Sequence, residues 1–271
     1  MPNPRRGYVD GPYGQIHHQS TGRGLAVVLL HQAPMTSGQF DNVYEPLARQ
    51  GFQVIGVDMP GFGMSDATPG APTVDDYAQV VPPVLDAFGL SRAALLGHHT
   101  GGLAATAAAL RWPDRISALI INGPLFVTED ERQDYLATGH QKELNFKALP
   151  GGDHLTWFFK VRDGLANGTI SDERLSDYVI QAMIGNGKYW YGHHAAYQYA
   201  QDLALPKITQ PTLILTNTGD IIHDSALKAK ALRPDFAYVA LDGGGVDIVD
   251  QQPEAWAAAV GQFLRDQTVG Q

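Results

Sequence analysis

The residues best equipped for chemistry stand in one short stretch, Leu95-Leu96-Gly97-His98-His99-Thr100-Gly101-Gly102. It lies between an apolar run at 93–96 and an alanine-rich segment at 103–110. That pattern predicts a strand, a tight turn allowed by its glycines, and a helix, with residue 99 held up at the helix head. An imidazole there suits proton transfer near neutral pH or attack on a carbonyl. The positive end of the helix disfavours an imidazolium, and a carboxylate partner favours one. His31, Asp58, Asn122, Asp220 and the 243–247 loop also follow apolar runs.

The elements that must position these groups alternate in type. Residues 7–20 alternate in polarity around Gly11-Pro12 and Gly14, which predicts an antiparallel hairpin at a sheet edge. Solid apolar runs at 25–30, 52–57, 93–96, 116–121, 211–216 and 236–241 predict strands buried on both faces. A helix is expected over 37–50 with Ser37 as its cap, and another from Thr73 to Gly89 with Asp75 and Asp76 in its first turn. Pro82-Pro83 is expected to break or kink the latter. Further helices are expected at 225–232 and 253–266. From 125 to 205 the strand runs stop, and charged helical stretches alternate with aromatic clusters. The expected fold is α/β, a doubly wound, mostly parallel sheet built from 1–124 and 206–271, with 125–205 inserted as a helical lid. Ligands of such sheets bind at the carboxyl ends of the strands, where the polar residues named above converge.

Composition narrows the partners. The chain has 271 residues, 44% of them apolar, and a formal charge of −9 without a basic stripe. A small-molecule substrate is expected and a nucleic acid is not. The absence of cysteine removes disulfides and thiolate chemistry. Arg5 and Arg6 have no apolar run behind them, so no secretory signal is expected in 1–10. No apolar stretch reaches the ~18 residues of a membrane helix, and a cytoplasmic location follows as the expectation. The pairs His17-His18 and His193-His194 lack a Glu, Asp or His cluster at ligand spacing, so neither metal nor other cofactor is expected.

Several stretches are similar to family motifs. His31-Gln32-Ala33-Pro34 resembles a His-Gly-x-Pro oxyanion turn, and residues 58–65 resemble a D-x-P-G-x-G-x-S loop. Residues 97–101 have the spacing of the nucleophile elbow G-x-S-x-G. Pro211-Thr212-Leu213-Ile214-Leu215 with Asp220 resembles the strand that carries the acid, and 243–247 resembles the loop that carries the histidine. The chain thus resembles the α/β-hydrolase superfamily, its epoxide-hydrolase and dehalogenase-like members above all, over nearly its whole length. The resemblance implies an oxyanion hole from the backbone N–H groups of Ala33 and Thr100, an acid at Asp220, and a cis Ala33-Pro34 bond. It also implies a pocket lined by His31, Gln32, Phe126, Trp157, Tyr189, Trp190 and Val246.

Two positions depart from the pattern. His99 stands where the nucleophile belongs, and Val246 stands where the catalytic histidine belongs. The usual relay needs a histidine between nucleophile and acid, so it does not carry over. A side chain has grown at 99 and shrunk at 246, so the His99 imidazole is expected to fill that space and pair with Asp220 as a general base. His223 is the other candidate for the missing histidine. His31 is expected to bond backbone near the oxyanion turn, His98 to pack beside the strand, and Asp247 and Asp250 to cap or pair at the surface. The readings that follow are hydrolysis of a small ester, lactone or carbonyl compound, a lyase, decarboxylase or isomerase using His99 for proton transfer, and an inactive homologue that binds a small ligand.

Overall fold

Strands β1 (Arg5–Gly11), β2 (Gly14–Gly22), β3 (Leu25–Leu30), β4 (Phe52–Val57), β5 (Ala93–His98), β6 (Ile116–Asn122), β7 (Thr212–Asn217) and β8 (Ala237–Leu241) form one sheet. Their order is β1-β2-β4-β3-β5-β6-β7-β8. The β1–β2 hairpin pairs antiparallel with β4, and every pairing from β4 through β3 to β8 is parallel. These coordinates are a computed structural model that describes residues 4–269; part of the 1–10 stretch, residues 1–3, lies outside the described residues.

The apolar runs are solid because both sheet faces are covered. Helices α1 (Asp41–Arg49), α2 (Val74–Ala78), α3 (Val81–Ala87) and α4 (Thr100–Arg111) precede the insertion. The insertion carries α5 (Glu129–Asp134), α6 (His140–Leu144), α7 (Asp153–Ala166), α8 (Asp172–Met183), α9 (Tyr191–Gln198) and α10 (Gln201–Ala204). Helices α11 (His223–Leu232), α12 (Ile248–Gln251) and α13 (Pro253–Val269) follow it. Alternate strand residues take opposite sides. Val28, Leu30, Leu95, Ile121 and Ile214 pack with α2, α3, α4 and α11, while Val27, Leu29, Leu96, Ile120 and Leu215 pack with α1 and α13.

Two local expectations are corrected. The helix expected over 37–50 begins as a 3-10 turn, Ser37–Phe40, and Thr36 rather than Ser37 caps it by accepting from the Gly38 N–H. Ser37 is occupied elsewhere: its N–H donates to Asp58 Oδ1 at 2.7 Å and its hydroxyl accepts from Gln19. Asp247 and Asp250 are also no surface residues. Asp247 is buried against Arg162 of α7, and Asp250 accepts from Arg174 and Tyr178 of α8. These bonds tie the insertion to the segment after β8. Thr73 and Asp76 form a reciprocal capping box, and Pro82 and Pro83 fall in the first turn of α3, where a missing N–H costs no helix bond. Among the described residues, no helix is long and apolar enough to cross a membrane.

Candidate active site

The turn after β5 is shaped by its neighbours. The His99 N–H donates to Asn122 O at 2.8 Å, across the rung that pairs His98 with Asn122. The chain then reverses into α4 with His99 at φ 46°, ψ −111°. A side-chain-bearing residue held in such a conformation costs on the order of 1–3 kcal/mol, which the surrounding packing must supply. A Cβ on Gly101 would stand 2.1 Å from Leu30 O, so only glycine lets α4 sit this close to β3. Thr100 is the first residue of α4, where backbone N–H groups have no partner within the helix. Neither its N–H nor that of Ala33, which precedes a cis peptide bond to Pro34, donates to another described residue.

His99 turns towards β7. Its Nε2 lies 2.8 Å from Asp220 Oδ2, and Asp220 Oδ1 accepts from the Ile222 N–H at 3.1 Å. The Asp220 side chain is wholly shielded from solvent. Burial pushes its carboxyl upward, but the adjacent His99 ring, the hydrogen bond from it and the Ile222 N–H outweigh burial and leave the pKa below its ordinary value. A carboxylate only accepts, so Nε2 carries the proton. His99 Nδ1 has no hydrogen-bond partner among the described residues. Gly123 makes the contact possible: a Cβ there would stand 2.4 Å from His99 Cδ2 and 2.7 Å from Nε2.

A family profile described as "alpha/beta hydrolase fold" matches residues 26–156. An epoxide hydrolase from an endophytic Streptomyces superimposes with a TM-score of 0.82, at 19% identity over 98% of this chain and 96% of that one. The chain has the α/β-hydrolase fold. A 2-hydroxy-6-oxononadienedioate/2-hydroxy-6-oxononatrienedioate hydrolase of Burkholderia vietnamiensis is 39% identical over 119 residues, which are 42% of this chain and 41% of that protein. A 2-hydroxy-6-oxo-6-phenylhexa-2,4-dienoate hydrolase of Comamonas testosteroni is 34% identical over 117 residues, 40% of each chain. The matches therefore span about two fifths of these relatives' own length.

The α/β-hydrolase core brings some of the expected residues together and leaves others apart. Val246 is buried in the loop after β8, and Gln32 is buried beside Ala33 with its N–H given to Gln39 Oε1 at 2.9 Å. His31, which the resemblance puts in the pocket wall and the residue reading puts against backbone, is completely buried. Its Nδ1–H donates to Gln32 O at 2.9 Å and its Nε2 accepts from the Met59 N–H at 3.0 Å, so both nitrogens serve the backbone. Burial holds its pKa below the ordinary value, against the pull of Asp58. Phe126 is partly buried against the core. Trp157 and Tyr189 line a cavity of about 290 Å³ in the insertion, whose wall contains neither His99 nor Asp220. Trp190 packs on His140, His194 and Tyr191. His223 Nδ1 lies 3.2 Å from Thr216 Oγ1 and makes no side-chain hydrogen bond to Asp220.

Sequence reasoning missed two participants. Neither Gly123 nor Gln39 is singled out by the sequence; Gln39 is buried against both Gln32 and His98. That reasoning also found no metal-like cluster, yet the fold brings one nitrogen each from His98 and His99 and an Asp220 oxygen within 4.8 Å of one another. The tautomer of His98 argues against a cation there. Gln32 occupies the Gln39 carbonyl, so the Gln39 NH₂ faces His98 Nδ1 and forces the proton onto Nε2. A metal-binding imidazole needs the opposite arrangement, with its outer N–H donated to an acceptor.

Proposed function

We propose that this chain hydrolyses a small carbonyl compound without a serine nucleophile, with His99 as the general base and Asp220 orienting it. The observation that carries the reading is the 2.8 Å contact between His99 Nε2 and Asp220 Oδ2, at a turn whose family counterpart presents the nucleophile. One imidazole takes the place of two residues. The carboxylate fixes the proton on Nε2, which leaves Nδ1 to accept one from water. The water oxygen bonds to the carbonyl carbon while its proton passes to Nδ1. The carbonyl π electrons move onto oxygen, and the N–H groups of Ala33 and Thr100, unpaired among the described residues, hold the oxyanion. Collapse breaks the bond to the leaving group, which takes the proton back from Nδ1. Products are an acid and a protonated leaving group, and no acyl-enzyme forms.

The helical insertion serves as the lid of this site. The substrate class is an ester, a lactone, or an activated ketone of the kind named for the relatives, a 2-hydroxy-6-oxo-dienoate. The experiment assays the wild type with His99→Ala, Asp220→Asn and Val246→His on short-chain esters, lactones and such dienoates. Turnover is expected to require His99 and Asp220. Val246→His is expected to lower it, because a second imidazole competes for the carboxylate. Undiminished turnover by His99→Ala, or an acyl adduct in the intact mass of acid-quenched enzyme, would sink the reading.

A further inference from the structure

Phe146, between α6 and α7, is the centre of a ring cluster in the insertion. It stacks on Tyr189, with centroids 4.5 Å apart and planes at 24°. Trp157 lies tilted against it at 5.9 Å, and His154 meets it edge to face at 6.2 Å. These four rings stand in the wall of the cavity of about 290 Å³, which includes neither His99 nor Asp220. An apolar cavity of about 150 Å³ takes up one benzene, so this one has room for two fused rings. Half of the Trp157 surface is still in water, a cost that a stacked ring removes.

Of the charged groups in the wall, the one carboxylate is spent and the ammonium groups are not. Glu143 Oε1 lies 2.6 Å from His193 Nδ1, and its Oε2 accepts from the Tyr135 hydroxyl at 2.9 Å. Lys142 and Lys147 form no ion pair among the described residues, in a chain of formal charge −9. Two neutral donors join them. His154 Nδ1 accepts from the Leu149 N–H at 3.1 Å, so its proton sits on Nε2, which has no acceptor among the described residues. Burial and the nearby Glu143 push the Tyr189 phenol upward, so it stays protonated, and its hydroxyl makes no hydrogen bond among the described residues. Such a donor set suits a carboxylate, which only accepts. A carboxylate conjugated to a ring also lies in the ring plane, whereas a tetrahedral phosphate does not.

We propose that this cavity is a second binding site, separate from the one at His99, for a planar aromatic carboxylate of one or two rings. The ring covers the exposed face of Trp157, and the carboxylate accepts from the donors of the wall. The inference does not depend on the reading of His99 as general base.

Titration calorimetry with naphthoate tests it on the whole chain, as wild type, Lys142→Glu/Lys147→Glu, Trp157→Ala and His99→Ala. Lys142, Lys147 and Trp157 are all exposed, so their replacement leaves the fold intact. The wild type is expected to show saturable binding below about 1 mM. The double lysine variant and Trp157→Ala are each expected to weaken it at least about 10-fold, and His99→Ala by no more than about twofold. Naphthylmethylammonium, with the same rings and the opposite charge, is expected not to bind. No saturable binding of naphthoate to the wild type would overturn the proposal. So would binding that the lysine and tryptophan variants leave unchanged, or that His99→Ala abolishes, since the ligand then sits in the catalytic pocket. Naphthyl phosphate binding as tightly as naphthoate would overturn the choice of a carboxylate.

Discussion

Asp220→Asn changes one atom and inverts the logic of the site. The Ile222 N–H donates to Oδ1 at 3.1 Å, so an asparagine is held with its carbonyl there and its NH₂ towards His99 Nε2. His99 must then accept at Nε2 and carry its proton on Nδ1, the atom that has to receive one. Flipping the amide restores the tautomer but sets two donors against each other at a buried position, at ~1–3 kcal/mol. The variant also loses the hydrogen bond from an imidazolium to a carboxylate, worth ~1.5–3 kcal/mol. Together these effects raise the barrier by ~2.5–6 kcal/mol, or ~10²–10⁴ in kcat at 1.4 kcal/mol per decade. KM is expected to stay near the wild-type value, because the Asp220 side chain is wholly shielded and touches no substrate. Steady-state kinetics on any compound the wild type hydrolyses measures the effect, and imidazole ¹⁵N shifts report the tautomer. A kcat within threefold of wild type, with the His99 proton on Nδ1, would refute the reasoning.

Other perturbations probe the supports. Gly123→Ala places a Cβ 2.4 Å from the His99 ring at a φ of +68°, so turnover is expected to fall at least ~10²-fold and stability by ~1–2 kcal/mol; an active, equally stable variant would contradict the described contact. Arg162→Met leaves Asp247 buried without its ion-pair partner and is expected to cost ~3–5 kcal/mol in urea unfolding, most of it recovered in Arg162→Met/Asp247→Leu. A single variant as stable as the wild type would show that the pair does not anchor the insertion. His31 and His98 stay neutral when folded, whereas unfolded histidines protonate below about 6.5. The unfolded chain then binds more protons, so stability falls below pH 6.5 by up to ~1.4 kcal/mol per pH unit for each residue, until its folded pKa is reached. Asp220 acts lower: its depressed pKa adds stability that is complete above about 3.8 and vanishes as pH falls through the folded value. Tm measured from pH 7.5 to 5.5 is expected to drop, and less steeply for His98→Phe; a flat profile would count against buried neutral histidines.

The fold was legible because its strands are solid apolar runs bounded by turn residues. The 25–30, 52–57 and 93–96 runs coincide with β3, β4 and the body of β5. The site was legible only where one position carries its meaning alone. His99, Asp220 and Val246 stand out because their types are unusual at those spacings. Gly123 and Gln39 do not, since their roles arise when β6 and the turn after β3 are packed beside β5, distant in sequence. Asp247 and Asp250 read as surface acids because their arginine partners lie on α7 and α8 of the insertion. The aromatics of 157–190 read as pocket lining, but apolarity alone does not distinguish rings that face a reacting centre from rings that stack on each other, as Phe146 and Tyr189 do at 4.5 Å.

The central claim is that proton transfer at His99 replaces a covalent nucleophile. Pre-steady-state kinetics of wild type and His99→Ala, with acid quench and intact mass, tests it most directly. The account predicts no burst and no mass gain in the wild type, and a loss of at least ~10³-fold in single-turnover rate in a folded His99→Ala protein that still binds ligand. A stoichiometric burst with an acyl adduct, or single turnovers unaffected by His99→Ala, would contradict it.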